Sequence, residues 1–348
     1  MATILDVARI AGVSPATVSH AFSAKRPVSE RTRARVRAAA VRAGYRPSQL
    51  AAAMVTGRTR TLGVVVPDIA NPFFSELVRG AEATAMAAGY MTIVCSSELN
   101  ADLEDRCVEV LTDKRVDSLL YLPGTTRRHR CLEDAALSRT PLVVIDEEMP
   151  DLPAHASVVT SDNEEGGAAA ARHLAGLGHG EIGVVAGPSG LPTSEARLRG
   201  FLAALAVQGI DIEPQRILRA VSYTREAGLR AGASLLSRQP AVTAVFCAND
   251  LIALGLMQAA AQAGRTVGRD LSVAGFDDIF VAELVSPALT TIRQPIAELG
   301  RRAAALAIAA IEGRESKPRR EVLPVQLAVR GSTAPAVAGA PEARASRS

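Results

Sequence analysis

From Leu62 onward the chain repeats one pattern: a short, continuously apolar run ending in polar or glycine residues, then a stretch whose apolar positions recur at helical spacing. The runs are LGVVVPD, MTIVCSS, SLLYLPG, PLVVIDE, EIGVVAG, AVTAVFCAND and LSVAGFDD. Strands apolar on both faces must be covered on both faces, and with helices between them the result is a parallel α/β sheet. Such sheets bind ligands beyond the carboxyl ends of their strands, which places Asp68, Asp146, Asn249, Asp250 and Asp277 at a site by topology alone.

The first sixty residues read differently. Thr3 with Asp6 three positions later makes a capping-box pattern, after which Ile4, Val7, Ala8 and Ala11 keep helical spacing until Gly12. Ser14 followed by Pro15 starts a second helix through about Phe22 across a three-residue turn, the spacing of a helix-turn-helix. Ser29 then caps a third, arginine-rich helix ended by Gly44. Gln49 to Val55 is Ala-rich and too short to be a stable helix alone, a candidate hinge ordered only when packed on something. Residues 1–60 hold eleven Lys/Arg against Asp6 and Glu30, a net +9, so the rest carries −6 of the total of +3. A basic module before an acidic body suits a polyanion-binding head on a sensor.

No apolar run reaches about 18 residues and the opening MATILDVARIAG has no secretory pattern, so a cytoplasmic protein without a membrane contact is expected. Cys95, Cys107, Cys131 and Cys247 are scattered, as are the five histidines, which predicts neither a metal nor a disulfide framework, and no cofactor is assigned. There is no GxSxG, no P-loop and no GxGxxG after a strand, so no catalytic residue is assigned and a non-enzyme is expected.

TILDVARIAGVSPATVSHAFS, VSERTRARVRAAAVRAGYRPS and LGVVVPDIANPFFSELVRGAE, followed in order by RHLAGLGHGEIGVVAGP, AVFCANDLIALG, LSVAGFDD and PALTTIRQP, closely resemble the lactose-repressor (LacI/GalR) family of transcription regulators. The resemblance covers residues 2 to about 330. It implies an all-α helix-turn-helix headpiece (1–46), a linker and hinge helix (47–60), and an α/β periplasmic-binding-protein-like core of two parallel-sheet subdomains (61–330). The N-subdomain is placed at about 61–160 and 292–322, the C-subdomain at about 161–291 and 323–330, with crossings near Thr160, Ile292 and Leu323. Residues 331–348, without apolar periodicity, are expected to be a disordered tail.

By that resemblance Pro15, Ala16, Thr17 and His20 read the major groove, with Thr17 and Ser19 as alternative phosphate contacts and Arg26 in a loop that reaches DNA. Ala51 and Met54 fall where relatives press side chains into the minor groove, Met54 as a wedge or as packing between paired hinges. Phe73 and Phe74 match an aromatic pair at the cleft, and Arg197, Asn249, Asp250 and Asp277 match polar effector contacts, of which Arg197 and Asp277 are expected to touch only the small molecule. Thr193 and Tyr223 stand second to them, and Leu191 occupies a position where purine-binding relatives have Arg. The competing readings are structural: Asp277 as a turn former at a strand end, Phe73 as core. Acids that accept hydroxyl protons, a donating Arg and an aromatic face suit a polyhydroxylated ligand. The predicted function is therefore a homodimeric, sequence-specific repressor released from a palindromic DNA operator by a small-molecule effector, a sugar or sugar derivative. The alternatives are a co-repressor-dependent or dual-acting regulator with a non-sugar effector and, in a different class, a small-molecule binding protein without a DNA role.

Overall fold

The computed structural model describes residues 2–23, 27–45, 58–125, 132, 140–150 and 152–336. In the headpiece, α1 (Ile4–Ala11) starts at an extended Thr3 whose hydroxyl accepts the Asp6 amide, while the Asp6 carboxylate accepts the Thr3 amide at 2.9 Å. Those bonds to Thr3 hold the Asp6 carboxyl below its usual range. Gly12, at φ +59°, closes the helix in a conformation that costs a residue with a Cβ. The Ser14 hydroxyl accepts the Thr17 amide at 3.1 Å to begin α2 (Pro15–Ser23). Ser29 caps α3 (Glu30–Ala43) in the same way. Val7, Val18 and Val36, one from each helix, are fully buried among alanines, and those small side chains let three short helices enclose one core. The expected hinge, Gln49 to Val55, lies outside the described residues.

The α/β core begins with β1 (Thr61–Val66), α4 (Pro72–Ala87), β2 (Met91–Ser96), α5 (Ala101–Asp113), β3 (Ser118–Tyr121), β4 (Leu142–Ile145) and β5 (Ser157–Ser161). It continues through α6 (Asn163–Gly176), β6 (Ile182–Ala186), α7 (Pro192–Val207), β7 (Ile217–Arg219), α8 (Arg225–Arg238), β8 (Ala244–Cys247), α9 (Asp250–Gln262) and β9 (Ser272–Asp277). The last elements are α10 (Val281–Leu284), β10 (Thr290–Arg293), α11 (Ile296–Ile311), β11 (Arg320–Leu323) and β12 (Gln326–Ala328). Two six-stranded sheets result, ordered β11-β5-β4-β3-β1-β2 and β12-β10-β9-β8-β6-β7, and the chain passes between them after Ser161, Arg293 and Leu323. The second sheet is not wholly parallel, because β12 pairs antiparallel with β10 at its edge.

Three helix pairs cover these sheets, α4 with α11, α6 with α7, and α8 with α9, and each pair meets through glycines. A Cβ on Gly80 would lie 2.1 Å from the Ala297 carbonyl oxygen, and one on Gly300 2.0 Å from that of Leu77. Gly167 stands in the same relation to Arg197 (2.1 Å), Gly200 to Glu164 (2.0 Å) and Gly255 to Arg225 (2.1 Å). The helices therefore run backbone against backbone at these points, which no side chain permits.

The sequence reading of a disordered tail from Gly331 is corrected for Gly331–Ala336. Ser332 is fully buried: its hydroxyl accepts the Thr290 amide at 2.8 Å and donates to the Val273 carbonyl at 2.6 Å. His173 Nε2 lies 2.9 Å from the Thr333 hydroxyl, His179 Nε2 lies 3.0 Å from the Ala334 carbonyl, and the Ala336 amide donates to Leu177. Order here comes from partners distant in sequence, which a search for local periodicity does not register. Ser332→Ala strands a buried amide and a buried carbonyl, so it is expected to cost about 1–3 kcal/mol in urea unfolding of the core. An unchanged unfolding midpoint would show that the segment is merely laid on the surface.

Candidate functional site

In the headpiece, α2 turns Val18 and Ala21 inward, which leaves Pro15 and Ala16 exposed and Thr17, Ser19 and His20 partly exposed. The Thr17 hydroxyl is 2.9 Å from that of Ser14, so it is engaged in the cap of its own helix. His20 Nδ1 is buried with no hydrogen-bond partner among the described residues. On α3, Arg31, Arg35, Arg37 and Arg42 are exposed cations, whereas Arg33 pairs with Glu30 at 2.6 Å. Arg26, Ala51 and Met54 lie outside the described residues.

In the core, polar residues stand at strand ends as the topology predicts. Asp146 follows β4 directly, Asn249 lies beyond β8 and caps α9, and Asp277 ends β9. Asn71 caps α4 and puts Phe73 and Phe74 in its first turn, while Thr193 and Arg197 lie one turn apart on α7. Phe73, Phe74, Asp146, Thr193, Arg197, Tyr223, Asn249 and Asp277 line one cavity of about 30 Å³, together with Asn71. Phe73 is at once cleft wall and core, packed edge-on to Phe74 with ring centroids 5.2 Å apart. Asp250 is not part of that lining. Its carboxylate accepts the Ile279 amide at 2.9 Å and the Thr291 hydroxyl at 2.5 Å, so it fixes the loop after Asp277 from behind.

Arg197 is the centre of the cleft. It is 3% exposed, donates from Nε to Asn163 at 2.7 Å and from Nη1 to the Ala248 carbonyl at 2.8 Å, and lies 3.4 Å from Asp277. Its guanidinium sits 3.9 Å from the ring centroid of Phe276. Asp277 in turn accepts from Gln294 at 2.7 Å. The expectation that Arg197 and Asp277 touch only a small molecule is therefore overturned: both are also ties within the protein. Asp146 and Asp277 adopt φ of +69° and +113°, strain that side chains accept where the surrounding structure imposes it.

Sequence reasoning missed Asn71, Asn163, Gln294 and Glu147. Glu147 accepts the Thr193 amide at 3.0 Å and the Thr193 hydroxyl at 2.5 Å. The run Asp146-Glu147-Glu148 at a strand end was the available signal for Glu147, whereas the amides carry none.

One guanidinium thus faces Asp146, Glu147 and Asp277, with Asp250 behind. Burial pushes the Asp277 carboxyl up to about 7 against the pull of Arg197, and burial together with the charge of Asp146 pushes Glu147 up to about 7. Burial also raises Asp146 and, with the charge of Asp277, Asp250. Because a carboxyl titrating near 7 when folded titrates near about 4 when unfolded, the folded chain binds extra protons between those values. The contribution of Asp277 and Glu147 to stability therefore falls as pH rises from about 4 to about 7 and is level above that. His173 and His179, lowered by burial, act the other way and remove stability on acidification. A comparison with Asp277→Asn isolates the carboxyl: the stability of wild type relative to the variant is expected to shrink as pH rises from about 4 to about 7 in urea unfolding, and to level off above that. A difference independent of pH would contradict the shifted carboxyl.

Residues 3–48 match the family described as bacterial regulatory proteins, lacI family, and residues 171–333 match the periplasmic binding protein-like domain. The transcriptional regulator DegA of Bacillus subtilis is 35% identical over 96% of this chain and 98% of its own. The transcriptional repressor CytR of Escherichia coli is 37% identical over 95% of this chain and 96% of its own. Among solved structures, the regulator CelR in complex with cellobiose is 30% identical, with a TM-score of 0.74 over 95% of this chain and all of that one. The lac repressor dimer bound to operator and the anti-inducer ONPF superposes with a TM-score of 0.82 at 27% identity, over 95% and 99% of the two chains. Two matched domains in one order, and relatives alike over nearly their whole length, lead to one conclusion: the chain belongs to the LacI family of bacterial regulatory proteins.

Proposed function

We propose that this chain is a sequence-specific repressor whose hold on operator DNA is set by a neutral, hydroxyl-rich small molecule bound at the Arg197 cleft. The observation that carries the reading is the convergence of Arg197, Asp146, Asp277, Asn249 and an aromatic pair at strand ends, in a chain whose headpiece forms a helix-turn-helix with Pro15 and Ala16 exposed on α2. Carboxylates outnumber cations there, so hydroxyl donors find acceptors while an anionic group meets repulsion. Leu191, buried at the start of α7, offers no charge to a nucleobase or phosphate. The complexes of similar proteins with cellobiose and with ribose agree with a sugar-class ligand.

The cavity of about 30 Å³ has room for roughly one or two waters, far below the volume of a usual ligand pocket. A sugar therefore enters by separating the walls contributed by the two sheets, and that displacement is the means by which occupancy reaches the headpiece. A two-fold dimer on a palindrome of about 16 to 20 base pairs is the assembly that gives one short reading helix enough sequence. Among the described residues no helix is long and apolar enough to cross a membrane, and the similarity to transcription regulators supports a role on DNA in the cytoplasm rather than that of an enzyme.

The test is a thermal-shift screen of neutral sugars followed by operator titration with any ligand that stabilises the protein. Such a ligand is expected to weaken operator binding about 5- to 150-fold in wild type. In Asp146→Asn, which keeps the shape and removes the charge, it is expected to have little effect, while operator affinity without ligand stays within about twofold. An unchanged ligand midpoint in Asp146→Asn would remove Asp146 from the site.

A further inference from the structure

A larger cavity, of about 480 Å³, meets the Arg197 cleft at Tyr223, which lines both. Its size is that of small-molecule pockets, whereas the cleft itself has about 30 Å³. Like the cleft, it lies beyond the carboxyl ends of strands: Leu99 follows β2, Gly124 and Thr125 follow β3, Leu191 follows β6 and Val221 follows β7. Each of the two sheets therefore contributes one wall.

Both walls are fixed from behind. On the side of the first sheet, the buried Glu104 carboxylate accepts the Tyr121 hydroxyl at 2.6 Å, the Gly124 amide at 3.2 Å and the Thr125 hydroxyl at 3.4 Å. Beside them Glu98 and Leu99 stand at φ of +52° and +58°, and the Leu99 amide donates to the Pro67 carbonyl at 3.0 Å. Residues with a bulky side chain avoid that conformation unless their surroundings impose it, and such strain gathers at ligand clamps. On the side of the second sheet, the Tyr223 ring lies against Gly187, where a Cβ would come within 2.6 Å of the Tyr223 hydroxyl oxygen. That hydroxyl is 3.3 Å from the Thr193 hydroxyl, so the ring is held at the boundary between the two cavities.

The lining selects a neutral occupant. Among the described residues that line it, Arg219 is the charged one, and Glu195 already holds it at 2.8 Å. An ionic group would lose water there and find no free counter-charge. Leu191 is buried, but Leu99 and Val221 are 40% and 78% exposed and form with the Tyr223 ring an apolar surface, which Thr125 and Ser222 edge with hydroxyls. A pyranose ring has the same division, with C–H groups on its faces and hydroxyls around its rim.

We propose that the effector is a disaccharide that spans Tyr223, one ring drawn into the Arg197 cleft and the second seated between Leu99, Leu191 and Val221, an assignment that rests on the sugar reading of that cleft and adds the ligand's size to it. The second ring finds its space already present, whereas the first needs the walls to part, so the outer cavity adds affinity without adding to the cost of opening.

The experiment is isothermal titration of the full-length, DNA-free protein with glucose, galactose, mannose and xylose, and with cellobiose, maltose, lactose, mannobiose and xylobiose. At least one disaccharide is expected to bind about tenfold or more tightly than either of its component monosaccharides. Val221→Ala and Leu99→Asn, the latter because Asn tolerates a left-handed backbone, are each expected to weaken that disaccharide by about threefold or more and to leave its components within about twofold. Asp146→Asn, which alters the cleft, is expected to weaken both. Monosaccharides bound as tightly as disaccharides, or a disaccharide advantage that survives both outer variants, would overturn the proposal and leave the cleft reading standing. Absence of binding by every sugar in the two sets would overturn the cleft reading and the proposal together. Thermal unfolding of each variant identifies a loss that comes from misfolding, and the exposed Val221 makes Val221→Ala the deciding variant where Leu99→Asn is unstable.

Discussion

A guanidinium withdrawn from water is tolerable only when its charge is balanced and its N–H groups are hydrogen-bonded, and the core of this protein is arranged around that requirement at Arg197. Its partners come from separate elements: Asn163 from α6, the Ala248 carbonyl from the end of β8, Asp277 from β9, and the face of Phe276 beneath it. Arg197 reaches them because α6 and α7 touch at Gly167 and Gly200; a Cβ at Gly167 would collide with the carbonyl of Arg197 itself. Glycine in the helix interior lowers helix propensity, and the close approach that results is what sets the cleft in place.

The same arrangement explains the chemistry. A single cation against three facing carboxylates leaves acceptor capacity in excess, and burial raises those carboxyls toward neutrality. Such a cleft offers acceptors to a ligand that brings hydroxyl donors, and repels one that brings negative charge as its carboxyls ionise.

What was legible in the sequence was mostly local. Thr3 with Asp6, Ser29, Gly12 and Gly44 mark helix ends because capping is decided within three or four residues, and the long apolar runs mark central strands because burial on both faces leaves no choice of residue, except for MTIVCSS, whose strand β2 lies at a sheet edge with Met91, Ile93 and Val94 exposed. β7, β11 and β12 are short and lie at sheet edges, where half-exposed strands need no apolar run, so they carry no comparable signal. The segment after Arg330 looked structureless because its order depends on His173, His179 and Thr290, far away in the chain. In the site, strand-end topology located Asp146, Asn249 and Asp277, but it could not tell which of two adjacent acids faces inward. Asp250 therefore seemed a ligand contact while it ties a loop, and Glu147, beside Asp146, went unnoticed while it holds Thr193.

Coupling between the cleft and the DNA-binding headpiece is the central requirement of the proposed mechanism, and thermodynamic linkage makes that coupling measurable from the ligand's side. The affinity of the stabilising sugar-class ligand is to be measured for the full-length protein with saturating operator duplex, with a random duplex of equal length, and with no DNA. Operator should weaken ligand binding by the same factor by which ligand weakens operator binding, about 5- to 150-fold, with a smaller effect from the random duplex. Ligand affinity that is identical with and without operator would mean that the cleft and the headpiece are independent, and that the proposed mechanism is wrong.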